Sequence, residues 1–266
     1  MNSQVATTRT QAKRTKAEAQ LDYLRDLKAE ALRHEAVHHP YLTALSEGEF
    51  SNPREALRDF AKTYQGYSAW FPRFLSAVEA RLPKELQGTL AENKAEEVGS
   101  YDEETLQELE EAGLEREWID KVPHPELFRR FQRALNVEMD ALVDSKSAIG
   151  RWREELLQLL ETEHPAAAVG ALGLGTELVV SRMYASILEG VDRFGRIHPE
   201  GRSFLVLHAL VDDAHAESLL ELSRHFATTG EGRAALARGM RAALDMRADF
   251  WSELQISSSN SKEDAA

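Results

Sequence analysis

The stretch "RSFLVLHALVDDAHAESLLELSRHF", residues 202–226, decides how the chain is read. Its apolar residues recur at steps of three and four, the period of a helix with one buried face, and not in the alternation of a strand. His208, Asp212 and His215 stand at i, i+4 and i+7. At about 100° per residue these three share a stripe roughly 60° wide. Phe204, Val211 and Leu219 fall on that stripe too, whereas Asp213 points elsewhere. Two imidazoles and a carboxylate are therefore directed into apolar surroundings. Each costs about 2–7 kcal/mol there unless it is hydrogen-bonded or holds a metal. A core histidine bonded to an aspartate is one explanation, and a metal centre is the other.

Working outward, the preceding segment "HPAAAVGALGLGTELVVS" (164–181) carries Glu177 as the only Asp, Glu, Lys or Arg between Pro165 and Ser181. A carboxylate in such a helix needs a partner inside the fold. Gly170, Gly173 and Gly175 allow close approach of a neighbouring backbone or of a flat substrate. Further upstream, "AENKAEEVG" (91–99) ends a helix on Glu96 and Glu97, and "PHPELFRRF" (123–131) opens one at His124. Taken alone, these are a solvated helix end and a residue before a helix-initiating proline. Inward-pointing Glu and His from several helices of a bundle are also the way carboxylate-bridged di-iron centres are built. Iron accepts such oxygen and imidazole donors.

The remainder of the 266 residues supports one all-α domain. Helices are predicted over 15–38, 53–82, 84–98, 126–136, 138–161, 166–189, 200–226 and 231–255. Asn52, Pro53 and Glu55 cap the second of these, and Pro72 is expected to kink it. Residues 1–16, with Arg9, Lys13, Arg14 and Lys16, read as a disordered basic arm, and 256–266 as a disordered polar tail. The folded domain then spans 17–255. Within it, 98–123 holds nine acids against two bases and reads as a solvated acidic insertion. The absence of Cys excludes disulfides, thiolate metal sites and cysteine nucleophiles. A net charge of −13 argues against nucleic acid as a partner. With no apolar run of membrane-spanning length and no secretory signal apparent in the sequence, a cytoplasmic protein is expected.

Six segments in order carry a family resemblance: "HHPYLTALSEGEFS" (38–51), "AWFPRFLSAV" (69–78), "ENKAEEVG" (92–99), "HPELFRRF" (124–131), "GLGTELVVSRMYASILEG" (173–190) and "HALVDDAH" (208–215). The sequence resembles the haem-oxygenase-like di-iron oxidase and oxygenase superfamily, which includes pyrroloquinoline-quinone synthase as a cofactorless relative. The resemblance implies a single haem-oxygenase-like helical bundle and metal ligands at Glu97, His124, Glu177, His208, Asp212 and His215, with Glu96 as the alternative to Glu97. It also implies two iron ions, O2 as co-substrate, and oxidation of a small amine, amino acid or fatty-acid-like metabolite, often in biosynthesis. Many members add a glutamate on the helix corresponding to 53–82, where this chain has Tyr64 and Tyr67 and no acid. Tyr41 and Tyr64 are the tyrosines assigned to the chemistry. Tyr67, Arg182 and Tyr184 are assigned to the pocket wall, where they would meet substrate. A small-molecule substrate is the partner expected, and a homodimer is the assembly considered.

One further motif competes with this reading. "HEAVH", residues 34–38, matches the HExxH of helix-borne zinc proteases. No sheet and no third ligand at the usual spacing accompany it, and Pro40 is expected to end its helix, so the match reads as coincidental. Two other functions stay open: a cofactorless or single-metal enzyme of the same fold, and a non-catalytic helical interaction protein docking through the acidic insertion. Thiaminase II shares the fold but needs a cysteine that is lacking here.

Overall fold

The structure, a computed structural model, describes residues 18–138, 146–210 and 212–260, with the side chains of 210–216 and 260 left aside. Its organising element is a 31-residue helix, Pro165–Gly195, labelled α10 below. His164 caps it, the imidazole accepting from the backbone N–H of Ala166 at 3.1 Å, and Pro165 occupies the first turn where no N–H is required. Two stretches, Gly170–Glu177 and Val191–Gly195, are wound as π-helix. By length and apolarity α10 could cross a membrane, which amends the expectation that no such run exists. However, 83% of its most apolar window is buried inside the fold. Its apolar character is spent on neighbouring helices.

Those neighbours surround it in chain order: α1 (18–32), α2 (Pro40–Glu47), α3 (Pro53–Ser68), α4 (Phe71–Arg81), α5 (Ala91–Glu97), α6 (Glu103–Glu111), α7 (Arg116–Ile119), α8 (His124–Ala134), α9 (Ala148–Thr162), α11 (Ser203–Leu210), α12 (Asp212–Phe226) and α13 (Gly230–Asn260). No strand occurs among the described residues. Helices α13, α12, α11 and α2 pack directly on α10. The closest approach is backbone to backbone. A Cβ added at Gly170 would lie 2.1 Å from the Leu236 carbonyl oxygen, and one at Gly239 of α13 would lie 1.9 Å from that of Ala167. The glycines of α10 are thus occupied by helix packing, and a flat substrate does not use them.

Several boundaries differ from expectation for local reasons. Pro72 does not kink a continuous helix; the chain breaks at Ala69 and Trp70, and Pro72 starts α4, because a first-turn proline sacrifices no hydrogen bond. Residues Lys84–Leu90 wind as 3-10 helix before α5. The segment expected over 138–161 begins in the described residues at Ala148, and α13 continues five residues past its expected end at 255. The acidic insertion is not a solvated excursion. It folds into α6 and α7 and buries Leu106, Leu109, Leu114 and Ile119, so its acids occupy only the outer face. At HEAVH, residues Glu35–Val37 form a single 3-10 turn after α1 has ended. His34 pairs with Asp245 at 3.1 Å and His38 faces solvent, so the two imidazoles share no helical face and no ion.

The α10–α13 contact has a direct test. Gly170→Ala should destabilise the protein by about 3 kcal/mol in urea unfolding, because the obstacle is a backbone carbonyl that cannot rotate away. Gly88→Ala, with nothing within 4 Å of the added carbon, should stay within about 0.5 kcal/mol of the parent.

Candidate metal centre

Glu97 and His124 lie 27 positions apart in sequence, and the insertion between them closes on itself to bring them together. At its base Gly99 adopts φ +85°, and a side chain there would collide with the Val122 backbone nitrogen at 2.4 Å. The Lys121 N–H donates to the Gly99 carbonyl at 2.8 Å. This pinch sets the last residue of α5 against the first of α8. Glu97 Oε1 lies 2.9 Å from His124 Nδ1, with both side chains only 2–3% exposed. The other nitrogen, Nε2, is 2.8 Å from the Tyr101 hydroxyl, which the insertion supplies.

His208 comes from α11. Its Nδ1–H donates to the Phe204 carbonyl one turn earlier at 2.7 Å, which fixes the tautomer and leaves the lone pair on Nε2. The rings of His124 and His208 approach to 4.7 Å between centroids. One ligand atom from each of Glu97, His124 and His208 can be chosen so that all three lie within 4.8 Å of one another, and all three residues are buried. Glu177 joins them from the end of the π segment of α10. It is 3% exposed and lines the same cavity, which has about 20 Å³ of water-accessible space. Glu96 is buried as well but contributes nothing to that wall. Asp212 and His215 belong to α12, and their side chains lie outside the described residues.

The wall opposite the histidines is built by α3. Tyr67 and Ser68 face the cavity, and Tyr184 faces it from α10. Behind them stands Arg247 of α13, 1% exposed. Its guanidinium donates to the hydroxyls of Tyr64 at 3.2 Å and Tyr67 at 3.1 Å, and it sits over the rings of Tyr67 and Trp152. Tyr184 donates to Tyr64 at 3.1 Å. Burial pushes the Tyr67 phenol well above its usual pKa even beside Arg247, so it remains a proton donor at neutral pH. Burial raises Tyr101 likewise, reinforced by the carboxylates of Glu96 and Glu97.

Of the tyrosines and the arginine assigned from sequence, Tyr67 and Tyr184 line the cavity, and Tyr64 sits one hydrogen bond behind it. Tyr41 does not reach it; its ring stacks on Trp251 at 5.7 Å in the core. Arg182 is exposed, because it lies two residues from Tyr184 and so on the far side of the helix. Reading the sequence missed Arg247, Ser68 and Tyr101. Arg247 was discoverable by the reasoning applied to Glu177: Met240, Ala243, Phe250, Trp251 and Leu254, at its helical spacings, are all buried. Nothing in the sequence around Tyr101 announces its role, which depends on how the insertion closes.

The sequence profile of iron-containing redox enzymes matches residues 58–248. The chain belongs to that family. No curated protein matches the sequence. Among solved structures, a CADD-like protein of unknown function from Nostoc punctiforme is similar over 92% of this chain and 98% of its own, at 16% identity and a TM-score of 0.69. A TenA homolog from Pseudomonas syringae covers 89% and 91%, at 13% identity and 0.61. A domain of unknown function with a haem-oxygenase-like fold from Shewanella denitrificans covers 93% and 92%, at 15% identity and 0.55. At these identities the likeness establishes the fold, a single all-α haem-oxygenase-like bundle.

The residues suit the family's iron. Two imidazoles and a carboxylate are donors that iron accepts, and Glu97 Oε2 is buried with no hydrogen-bond partner among the described residues, a position a bound cation would satisfy. The phenol network is testable without metal. Tyr64→Phe removes an acceptor shared by Arg247 and Tyr184 and should cost about 2–3 kcal/mol in denaturant unfolding. Tyr41→Phe removes a buried hydroxyl that has no partner and should be neutral or stabilise by about 1 kcal/mol.

Proposed function

We propose that this protein is a non-haem iron oxidase or oxygenase that uses O2 to oxidise a small metabolite. The observation that carries the reading is the convergence of buried Glu97, His124 and His208 in a cavity also lined by Glu177. Iron bound there would supply the redox and O2 chemistry that protein side chains lack. Glu97, His124 and His208 would hold one ion. Glu177, with Asp212 and His215 one and two turns beyond His208 in the sequence, would hold a second.

The chain's own residues shape the substrate. Phe71, Val180 and Phe204 give the cavity an apolar wall that keeps water from the metal, while Tyr67, Ser68 and Thr176 supply its polar end. Arg247 gives this end its sign. A guanidinium is always charged, and the groups against this one are the phenols of Tyr64, Tyr67 and Tyr184, so its field favours negative charge on the Tyr67 side of the cavity. A carboxylate-bearing substrate, amino-acid-like or fatty-acid-like, fits this better than a simple amine. The cavity's water-accessible space, about 20 Å³, is that of roughly one water, so a substrate enters only if the side chains of its wall move.

A single-metal enzyme of the same fold is the second reading. What favours it is α3, which faces the cavity with Tyr67 and Ser68 where many related enzymes place a glutamate.

Anaerobic titration of metal-free protein with Fe(II), followed by mixing with O2, separates the two. Uptake of about two ions per chain with O2-dependent spectral change supports the first, and one ion supports the second. No uptake would sink both. Glu97→Gln and His208→Ala should each lose tight Fe(II) binding while far-UV circular dichroism is unchanged. Arg247→Met should weaken binding of carboxylate substrates about tenfold, the equivalent of one charge-assisted hydrogen bond, and leave metal content intact.

A further inference from the structure

We infer that Tyr101, delivered by the acidic insertion, is a positioning residue that selects which nitrogen of His124 is offered to the metal. The inference rests on the metal reading above and adds a residue to it.

Both ring nitrogens of His124 are engaged, Nδ1 with Glu97 Oε1 at 2.9 Å and Nε2 with the Tyr101 hydroxyl at 2.8 Å. A ligand must give up one of these contacts. Glu97 is a carboxylate whose ligand atom lies within 4.8 Å of those of His124 and His208, whereas Tyr101 offers a neutral phenol, a much weaker donor to iron. An ion between Glu97 and His208 therefore meets Nδ1, replacing the Glu97 to His124 hydrogen bond with two bonds to itself. Nε2 keeps Tyr101.

The proton count then explains why a hydroxyl stands there. Glu97 as a carboxylate can only accept, so in the metal-free site Nδ1 carries the proton and Nε2 accepts from the Tyr101 O–H. When Nδ1 gives its lone pair to a metal, its proton is released and Nε2 takes one up, leaving the imidazole neutral overall. Nε2–H now needs an acceptor. A hydroxyl serves both states because it both donates and accepts; a carboxylate or an ammonium at this position would serve one only. Metal-bound histidines generally direct the other N–H to such an outer partner, and losing the partner weakens metal binding about 10- to 100-fold.

This also assigns a purpose to the insertion. Its buried leucines and the Gly99 to Val122 pinch hold α6 and α7 as a folded arm, and Tyr101 lies at the base of that arm on the cavity side. The nine acids are on the outside of an element whose inner contribution is one phenol.

The test uses the full-length protein and Zn(II) as a diamagnetic probe, with Fe(II) in parallel. In 15N spectra of metal-free wild type, His124 should carry its proton on Nδ1; on Zn(II) addition the proton should appear on Nε2 and Nδ1 should show the metal-bound shift. Tyr101→Phe, which keeps the ring and drops the hydroxyl, should bind Zn(II) and Fe(II) about 10- to 100-fold more weakly in competition titrations, with thermal unfolding of the metal-free protein little changed. Zn(II) at Nε2, or unaltered affinity in Tyr101→Phe, would overturn the inference while the metal reading stands. Wild type that takes up neither ion would overturn both. Should the variant unfold, the wild-type nitrogen assignment still decides.

Discussion

Two helices in backbone contact set the geometry on which everything else depends. Where α10 meets α13, Gly170 rests on Leu236 and Gly239 on Ala167, with no side chain to cushion either crossing. Close-packed interiors transmit such constraints because they have no slack. The contact fixes the register of the helix that carries Glu177 and Tyr184 against the helix that carries Arg247. A buried carboxylate thereby lines the cavity while a buried guanidinium stands behind its tyrosine wall, and among the described residues the two form no ion pair with each other. The hydroxyls of Tyr64 and Tyr67 accept from the guanidinium, Tyr184 donates to Tyr64, and no carboxylate pairs with Arg247 among the described residues.

Charged groups in a low-dielectric interior are costly, and a ligand in the cavity would offset part of that cost. The same holds at the histidine end, where Glu97 Oε2 has no hydrogen-bond partner among the described residues. Among the described residues, one end gathers carboxylate and imidazole donors and the other a guanidinium behind phenols. The family assignment supplies iron for the first, and the proposed substrate carboxylate supplies the second.

The legible part of the sequence was the part written in helical period. Glu177 and His208 betrayed themselves as polar residues on apolar faces, and the structure buries both on the cavity. Asp212 and His215 were read by the same rule, but their side chains lie outside the described residues. Arg247 obeys the rule as well and was overlooked. Other features do not follow a period. The break before Pro72, the 3-10 turn at HEAVH and the closing of the insertion at Gly99 are set by a few torsions and by contacts distant in sequence. Tyr101 reaches His124 only once that loop has closed, so no pattern around it could have marked it. Tyr41 and Arg182 show the converse error. Residue type alone suggested chemistry, but the core claims one for packing and helical phase turns the other to solvent.

Helix α10 also has a history during synthesis. It is apolar enough to pass for a membrane span, and the face bearing Gly170 is covered by α13, whose first residue follows the end of α10 by 35 positions. Until that later segment has left the ribosome, this long apolar helix is made but lacks its α13 cover. At about 5–20 residues per second this interval lasts several seconds. Over that time the nascent chain presents a surface that chaperones and lipid bilayers both recognise, and its yield in a cell depends on which of them, if either, reaches α10 before α13 does.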